Sequence, residues 1–100
     1  MTKEFKEYLK KELIESLSPE LEVQKIIVFG SFVKSENPND IDVAIFQSSN
    51  ASYLELAMKY RKLTRKIAKM IPLDIIPIKP DAQNNSFLSE IEAGELIYER

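Results

Sequence analysis

The 100-residue sequence contains no cysteine and no histidine. The absence of cysteine excludes disulfide bonds and thiolate zinc sites. The absence of histidine removes the commonest general base of enzymes and every imidazole metal ligand. Any metal ion must therefore be held by oxygen ligands, which suits Mg²⁺ or Mn²⁺.

The sequence also lacks a strong charge bias and a long apolar run. The formal net charge is −2, which gives no support for a general nucleic-acid-binding protein. We find no signal peptide and no apolar stretch of transmembrane length, so we expect no membrane association and a cytoplasmic location. With 44% hydrophobic residues, the chain is expected to form a single domain, residues 1–100, around one core.

Glycine is scarce, and both glycines fall at predicted chain reversals. Gly30 ends the β-branched apolar run Ile26–Phe29, which predicts a buried strand. A positive φ at Gly30 would let a ligand approach the backbone closely. Ser31 is predicted to cap a following short helix and to present its hydroxyl. Gly94 is predicted to end a helix in the left-handed conformation.

A second strand is predicted from the alternation of residues 41–45. Ile41, Val43 and Ile45 point to one face, whereas Asp42 shares the other face with Asp40. Two carboxylates on one face of a strand repel each other, an arrangement that usually serves a cation. For Asp40 alone, an Asx turn that closes the preceding loop is an equally good interpretation.

The remaining segments predict an α/β fold with a mixed sheet of three or four strands flanked by helices. The periodicity predicts helices over 2–17 and 51–70, the second with a capping box at Ser52. A strand bounded by Pro72 contains Asp74, and taken alone Asp74 is best interpreted as an exposed edge-strand charge. Ser86 is predicted to cap a short helix, and residues 96–98 form a final strand or tail.

The outer face of the predicted helix 51–70 is basic, with a single acidic residue, Glu55, among six lysines and arginines. A solvated helix surface is the simpler interpretation. The alternative is that part of this face binds an acidic partner or the phosphates of a nucleotide. The sequence does not choose between them, because it does not show how the helix faces the aspartates.

The run Gly30-Ser31, eight further residues and Asp40-Ile41-Asp42 resembles the signature of the DNA polymerase beta-like nucleotidyltransferases. The small size is similar to the minimal nucleotidyltransferase branch, which is often paired with HEPN-domain proteins in toxin–antitoxin modules. In that family a third carboxylate lies on a later strand, where this chain has Asp74.

The sequence also differs from the family pattern. Many relatives carry an arginine and a glycine shortly after the Gly-Ser pair, where this chain has Phe-Val-Lys-Ser. Lys34 keeps a positive charge there but lacks the bidentate fork of arginine. A serine that relatives carry before the first aspartate is replaced by Asn39.

The resemblance implies a nucleotidyltransferase enzyme that transfers a nucleoside monophosphate, AMP from ATP, to a hydroxyl group. Catalytic and metal-binding roles are implied for Asp40, Asp42 and Asp74, with two Mg²⁺ ions, or Mn²⁺, as cofactors. Roles in binding the phosphates of the nucleoside triphosphate are implied for Gly30, Ser31 and Lys34.

The residues after Asp74 are too few for the second, substrate-binding domain of larger relatives, so the acceptor is expected to come with a partner. The resemblance implies a HEPN-domain toxin, modified on a tyrosine or another hydroxyl, with this chain as antitoxin. Two alternatives stay open. One is a non-catalytic, nucleotide-binding antitoxin that acts by contact. The other is a small-molecule nucleotidyltransferase whose acceptor pocket lies at the dimer interface of a homo-oligomer.

Overall fold

The computed structural model describes residues 1–81 and 87–100. In chain order the elements of the described residues are α1 Lys3–Leu17, β1 Val23–Phe29, α2 Ser31–Lys34, β2 Ile41–Gln47, α3 Tyr53–Leu63, α4 Arg65–Ala68, β3 Leu73–Ile78, α5 Leu88–Glu92 and β4 Glu95–Glu99. Among these helices, none is long and apolar enough to cross a lipid bilayer.

The strands form one mixed sheet in the order β3-β2-β1-β4. Strand β1 pairs antiparallel with both β2 and β4, whereas β2 and β3 are parallel. The parallel pair requires a crossover connection, which α3 and α4 provide. The predicted α/β architecture, a mixed sheet of three or four strands flanked by helices, is confirmed. Strand β3 lies at an edge of the sheet, as the bounding Pro72 indicated.

The alternation along β2 separates two apolar clusters, one on each face of the sheet. Ile41, Val43 and Ile45 belong to the larger cluster, which also contains buried side chains from α1, α3 and α4. Ala44 and Phe46 point to the opposite face and belong to a smaller cluster with Phe29, Ile78 and Ile91. The face of the sheet that carries Asp42 is therefore the less covered one.

Helix α1 follows the predicted periodicity. Thr2 is its N-cap and accepts a hydrogen bond from the Phe5 amide at 3.0 Å. Leu9, Leu13 and Leu17 are fully buried against the sheet. The prediction of a helix over 2–17 that covers the core is confirmed.

The predicted continuous helix 51–70 is wrong in its bounds and its continuity, because two helices meet at Thr64. The Ser52 half of the capping box is confirmed: the Ser52 hydroxyl accepts from the Glu55 amide at 3.2 Å, and it donates to the Glu55 carboxylate at 3.3 Å. The buried Thr64 takes φ −105° and ψ 15°, and its hydroxyl donates to the Tyr60 carbonyl at 2.8 Å. A threonine that bonds back to the preceding turn bends a helix, which accounts for the break.

Gly94 follows Ala93, the C-cap of α5, but its φ is not positive, so the predicted left-handed conformation is wrong. Close packing explains the glycine instead. A Cβ atom at Gly94 would lie 2.5 Å from the Val28 carbonyl oxygen and 2.7 Å from the Phe29 Cβ. Ser86, the predicted cap of α5, lies outside the described residues. The predicted final strand is confirmed as β4.

Candidate active site

Two of the predicted site aspartates lie side by side at one end of the sheet. Asp42 is the residue of β2 that pairs with Phe29, the last residue of β1. Asp74 of β3 is the parallel partner of Asp42. Paired residues of neighbouring strands point to the same face, so the two carboxyl groups lie side by side. The expected adjacency of Asp74 and the Asp40–Asp42 pair is thus present.

Gly30 places the turn after β1 directly against Asp42. Its φ is +73°, as the sequence predicted, and this conformation disfavours every residue with a Cβ. A Cβ atom at Gly30 would also collide with the Oδ2 atom of Asp42. Two independent features therefore require glycine at this position: the positive φ of the backbone and the lack of space for a Cβ atom beside the Asp42 carboxylate.

Ser31 does not cap α2 with its side chain, so that prediction is wrong. Gly30 occupies the N-cap position and Ser31 is the first helical residue. Its exposed hydroxyl instead donates to the Oδ1 atom of Asp40 at 3.3 Å. Because Asp40 precedes the first residue of β2, this bond links the Gly-Ser turn to the start of the strand that carries Asp42.

The surroundings of Asp42 disfavour its charged form. Burial is the largest cause and, with the negative charge of Asp40, the hydrogen bond to Asp74 and the charges of Asp74 and Glu90, raises the pKa of Asp42 from 3.8 to about 6. Glu90 belongs to α5 and was missed by the sequence analysis, since only the packing of α5 on the sheet brings it near. A cation would relieve the repulsion among these carboxylates.

The donor atoms fit a hard divalent cation, because all of them are carboxylate oxygens. Within residues 1–81 and 87–100, no three acidic side chains are already arranged to hold one metal ion. The sheet register brings Asp42 and Asp74 of the candidate ligand set side by side, and Asp40 is hydrogen-bonded to Ser31.

Two lysines lie near α2 in different ways. Lys34, the predicted phosphate ligand, is the exposed last residue of α2. Lys6 of α1 was not predicted, yet its ammonium donates to the Phe32 carbonyl at 2.8 Å and the Ser35 carbonyl at 2.6 Å. These bonds fix the C-terminal end of α2, and with it the segment between Gly30 and Asp40.

Comparison with known proteins gives one family and a set of similar folds. The sequence model of the family described as polymerase beta, nucleotidyltransferase matches residues 11–100. No curated protein sequence shows a significant match to the chain.

Several solved structures share the fold at low sequence identity. A chain in the structure of the tri-AMPylated Shewanella oneidensis HEPN toxin in complex with MNT antitoxin is 19% identical, with a TM-score of 0.65 over 95% of this chain and 73% of that one. A chain of a variant MntA–HpeT toxin–antitoxin structure is 17% identical, with a TM-score of 0.65 over 91% and 72%. A chain of a toxin–antitoxin structure with AMP-PNP is 20% identical, with a TM-score of 0.60 over 91% and 73%.

Proposed function

Because this chain belongs to the polymerase beta nucleotidyltransferase family, we propose that its aspartate cluster transfers AMP from ATP to a hydroxyl group of a HEPN-domain partner protein. One observation supports this proposal above the others: the sheet register sets Asp42 beside Asp74, directly against the Gly30 turn. That arrangement combines closely spaced carboxylates with a backbone turn that a bound ligand can approach.

The aspartates take the roles that their positions suit. Asp40, Asp42 and Asp74 would hold Mg²⁺ between them. A divalent cation bound there supplies charge neutralisation for the triphosphate and lowers the pKa of the acceptor hydroxyl. Asp74 is the exposed member on the edge strand, so an incoming acceptor can reach its carboxylate. In the proposal Asp74 accepts the proton of the attacking hydroxyl, a task that a carboxylate can perform in a chain without histidine.

The Gly-Ser turn and α2 bind the phosphates. The backbone at Gly30 allows close approach, the Ser31 hydroxyl can turn from Asp40 to a phosphate oxygen, and the exposed Lys34 adds a positive charge. Lys34 acts as a point charge rather than a bidentate clamp, so it positions the triphosphate less strictly than an arginine.

The partner is proposed from the similar structures. One contains a tri-AMPylated HEPN toxin with MNT antitoxin, and another a toxin–antitoxin with AMP-PNP. By similarity to these structures, we propose that this chain is an antitoxin, with a hydroxyl group of the partner as acceptor and ATP as donor. A cytoplasmic location follows from such a partnership.

The experiment is a transfer assay with ATP labelled on the α-phosphate, Mg²⁺ and a HEPN-domain protein from the same genome. We expect label on the partner protein. Asp40→Asn and Asp42→Asn should each abolish it, and the double variant should be no worse, because residues that act as a unit do not add. Asp81→Asn, the same change at an exposed aspartate outside the cluster, is the matched control.

Ser31→Ala should lower the transfer rate less than the aspartate changes. Its activation free energy should rise by roughly 1–2 kcal/mol, the scale of one hydrogen bond to a charged group.

Label on a small molecule without the partner would instead indicate a small-molecule nucleotidyltransferase. Neutralisation of the partner with no label anywhere would indicate an antitoxin that acts by contact. Parent-level transfer by Asp42→Asn would remove the aspartate pair from the mechanism.

A further inference from the structure

A second concave surface lies on the face of the sheet opposite the aspartates. We call it the α3–α4 groove. It has a volume of about 410 Å³, with an apolar floor of Ala68, Leu73 and Ile75 and a cationic rim of Arg61, Lys62 and Arg65. The groove forms where α3 and α4 pass beside the edge strand β3, and the helix break at Thr64 lies in its wall.

The groove is separate from the candidate active site because of strand alternation. Leu73 and Ile75 point to one face of β3, and Asp74 between them points to the other. A nucleotide bound at the aspartates therefore has the sheet between itself and the groove. The floor of the groove therefore faces away from the aspartates.

Two lysines of α3 and α4 form ion pairs within the chain. Lys59 forms ion pairs with Glu20 at 2.7 Å and Glu22 at 3.0 Å, and Lys66 pairs with Glu12 at 3.3 Å. Throughout residues 1–81 and 87–100, no ion pair involves any of the three rim cations. Among the described residues, three cations without an ion pair thus line this one groove, although the chain as a whole has a net charge of −2.

Apolar surface accompanies the charge. Met58 lines the groove and leaves 61% of its surface exposed. Leu73 is half-buried at the floor. Methionine adapts to varied apolar partners, and an apolar floor with a charged rim suits an amphipathic helix laid into a groove. Nucleic acid fits less well, because none of the described residues that line the groove is aromatic and could stack on a base.

We propose that the α3–α4 groove binds an acidic amphipathic segment of a partner protein, with the segment's apolar side chains on Leu73 and Ile75 and its carboxylates paired with Arg61 and Arg65. The proposal does not depend on nucleotidyl transfer. Bidentate pairing of guanidinium with carboxylate would set the orientation of the segment, while the apolar contacts supply affinity.

The test is a selection from a displayed library of random helical peptides on the full-length protein, followed by fluorescence anisotropy with the enriched peptides. We expect enrichment of sequences that combine glutamate or aspartate with leucine-type residues at helical spacing. Arg61→Glu/Arg65→Glu should weaken their binding tenfold or more, and the parent affinity should fall as salt rises. Lys11→Glu/Lys69→Glu changes the net charge equally outside the groove and should leave binding within about twofold.

A second pair of variants tests the apolar contacts. Met58→Gln should weaken binding, whereas Met70→Gln, at an exposed methionine outside the groove lining, should not. Circular dichroism checks that every variant folds. The proposal is overturned if no acidic amphipathic sequences are enriched, or if the enriched peptides bind the groove variants as tightly as the parent. A groove-dependent affinity for a single-stranded oligonucleotide, or groove-dependent self-association, in place of peptide binding would also overturn it.

Discussion

At the residue scale, Asp42 links the chemistry of the site to the stability of the fold. Its folded-state pKa of about 6 lies above the ordinary value of 3.8. Between these two values the folded chain retains a proton that the unfolded chain releases. The free energy of unfolding therefore falls as pH rises from about 4 to about 6. Above that range the loss of stability caused by ionising Asp42 in the folded chain is complete.

The first prediction concerns this penalty. Without metal, Asp42→Asn should be more stable than the parent at pH 8 by about 1–2 kcal/mol, allowing for solvent screening, and the difference should vanish near pH 4. Urea unfolding in the presence of a chelator, measured from pH 4 to pH 8, gives the stability difference between the two proteins at each end of this range. Asp81→Asn is the control and should not reproduce this dependence on pH. A variant at Asp42 that unfolds well below the parent at pH 8 would identify Asp42 as a structural residue.

The second prediction concerns Gly30, which combines a positive φ with contact to Asp42. Gly30→Ala should destabilise the fold by about 1–2 kcal/mol, from left-handed strain, and should also displace the Asp42 carboxylate and abolish AMP transfer. Gly94→Ala is the comparison, because it crowds β1 without a positive φ. It should lose stability yet retain transfer below its melting temperature. Parent-level transfer by a folded Gly30→Ala protein would show that the turn does not support the site.

At the scale of secondary-structure elements, α1 does more than cover the core. Through Lys6 it holds the carbonyl groups at the end of α2, a helix of only four residues. So short a helix has little intrinsic stability, and its position depends on tertiary contacts of this kind. Because Lys6 bonds to α2 and the residue after it, its proposed role is that of a positioning residue that acts through α2.

The third prediction is that Lys6→Met raises the Kd for ATP several-fold, with a smaller effect on the rate at saturating ATP, because α2 loses its anchor while the aspartates stay in place. Lys10→Met is matched to it on the same helix. Lys10 pairs with Glu7 and Glu95, away from α2, so this variant should bind ATP like the parent. Isothermal titration at fixed Mg²⁺ measures both, and equal affinities for the two variants would contradict the positioning role.

The helices and strands also show what a sequence can and cannot reveal. The strand of residues 41–47 was predictable because Ile41, Val43 and Ile45 alternate with smaller or polar residues, and only one register buries all three. The break at Thr64 was not predictable from the sequence, because a threonine fits the helical pattern and its hydrogen bond to the Tyr60 carbonyl depends on burial. Lys6 was equally hidden, because a lysine on a helix flank is usually solvated.

The site was predictable only in part, for a physical reason. The Gly-Ser turn and the Asp40–Asp42 pair are close in sequence, so local geometry brings them together. Asp74 joins them only because β3 is the parallel neighbour of β2, and strand order is a property of the whole sheet. Glu90 approaches Asp42 through the packing of α5, which a local sequence pattern does not encode.

At the scale of the whole molecule, the small net charge conceals a separation of charge across the sheet. The clustered carboxylates lie at one face, and the uncompensated cations of the α3–α4 groove lie at the other. The strands between them are filled with apolar side chains from both clusters. This separation would allow the proposed cation-dependent site and the proposed acidic-partner site to be occupied without competing.

The fourth prediction tests this independence through ligand linkage, since a ligand that binds only the folded state stabilises it. Mg²⁺ with a non-hydrolysable ATP analogue, at ten times its Kd, should add about 1.4 kcal/mol and raise the melting temperature by roughly 5–10 °C. Asp42→Asn should lose most of this shift because the cation has lost a ligand, whereas Arg61→Glu/Arg65→Glu should keep it because the groove lies behind the sheet. Thermal unfolding monitored by circular dichroism measures all three proteins. An equal shift in the parent and in Asp42→Asn would show that the nucleotide analogue does not bind at the aspartates. Loss of the shift in the groove variant would show that the two surfaces are coupled.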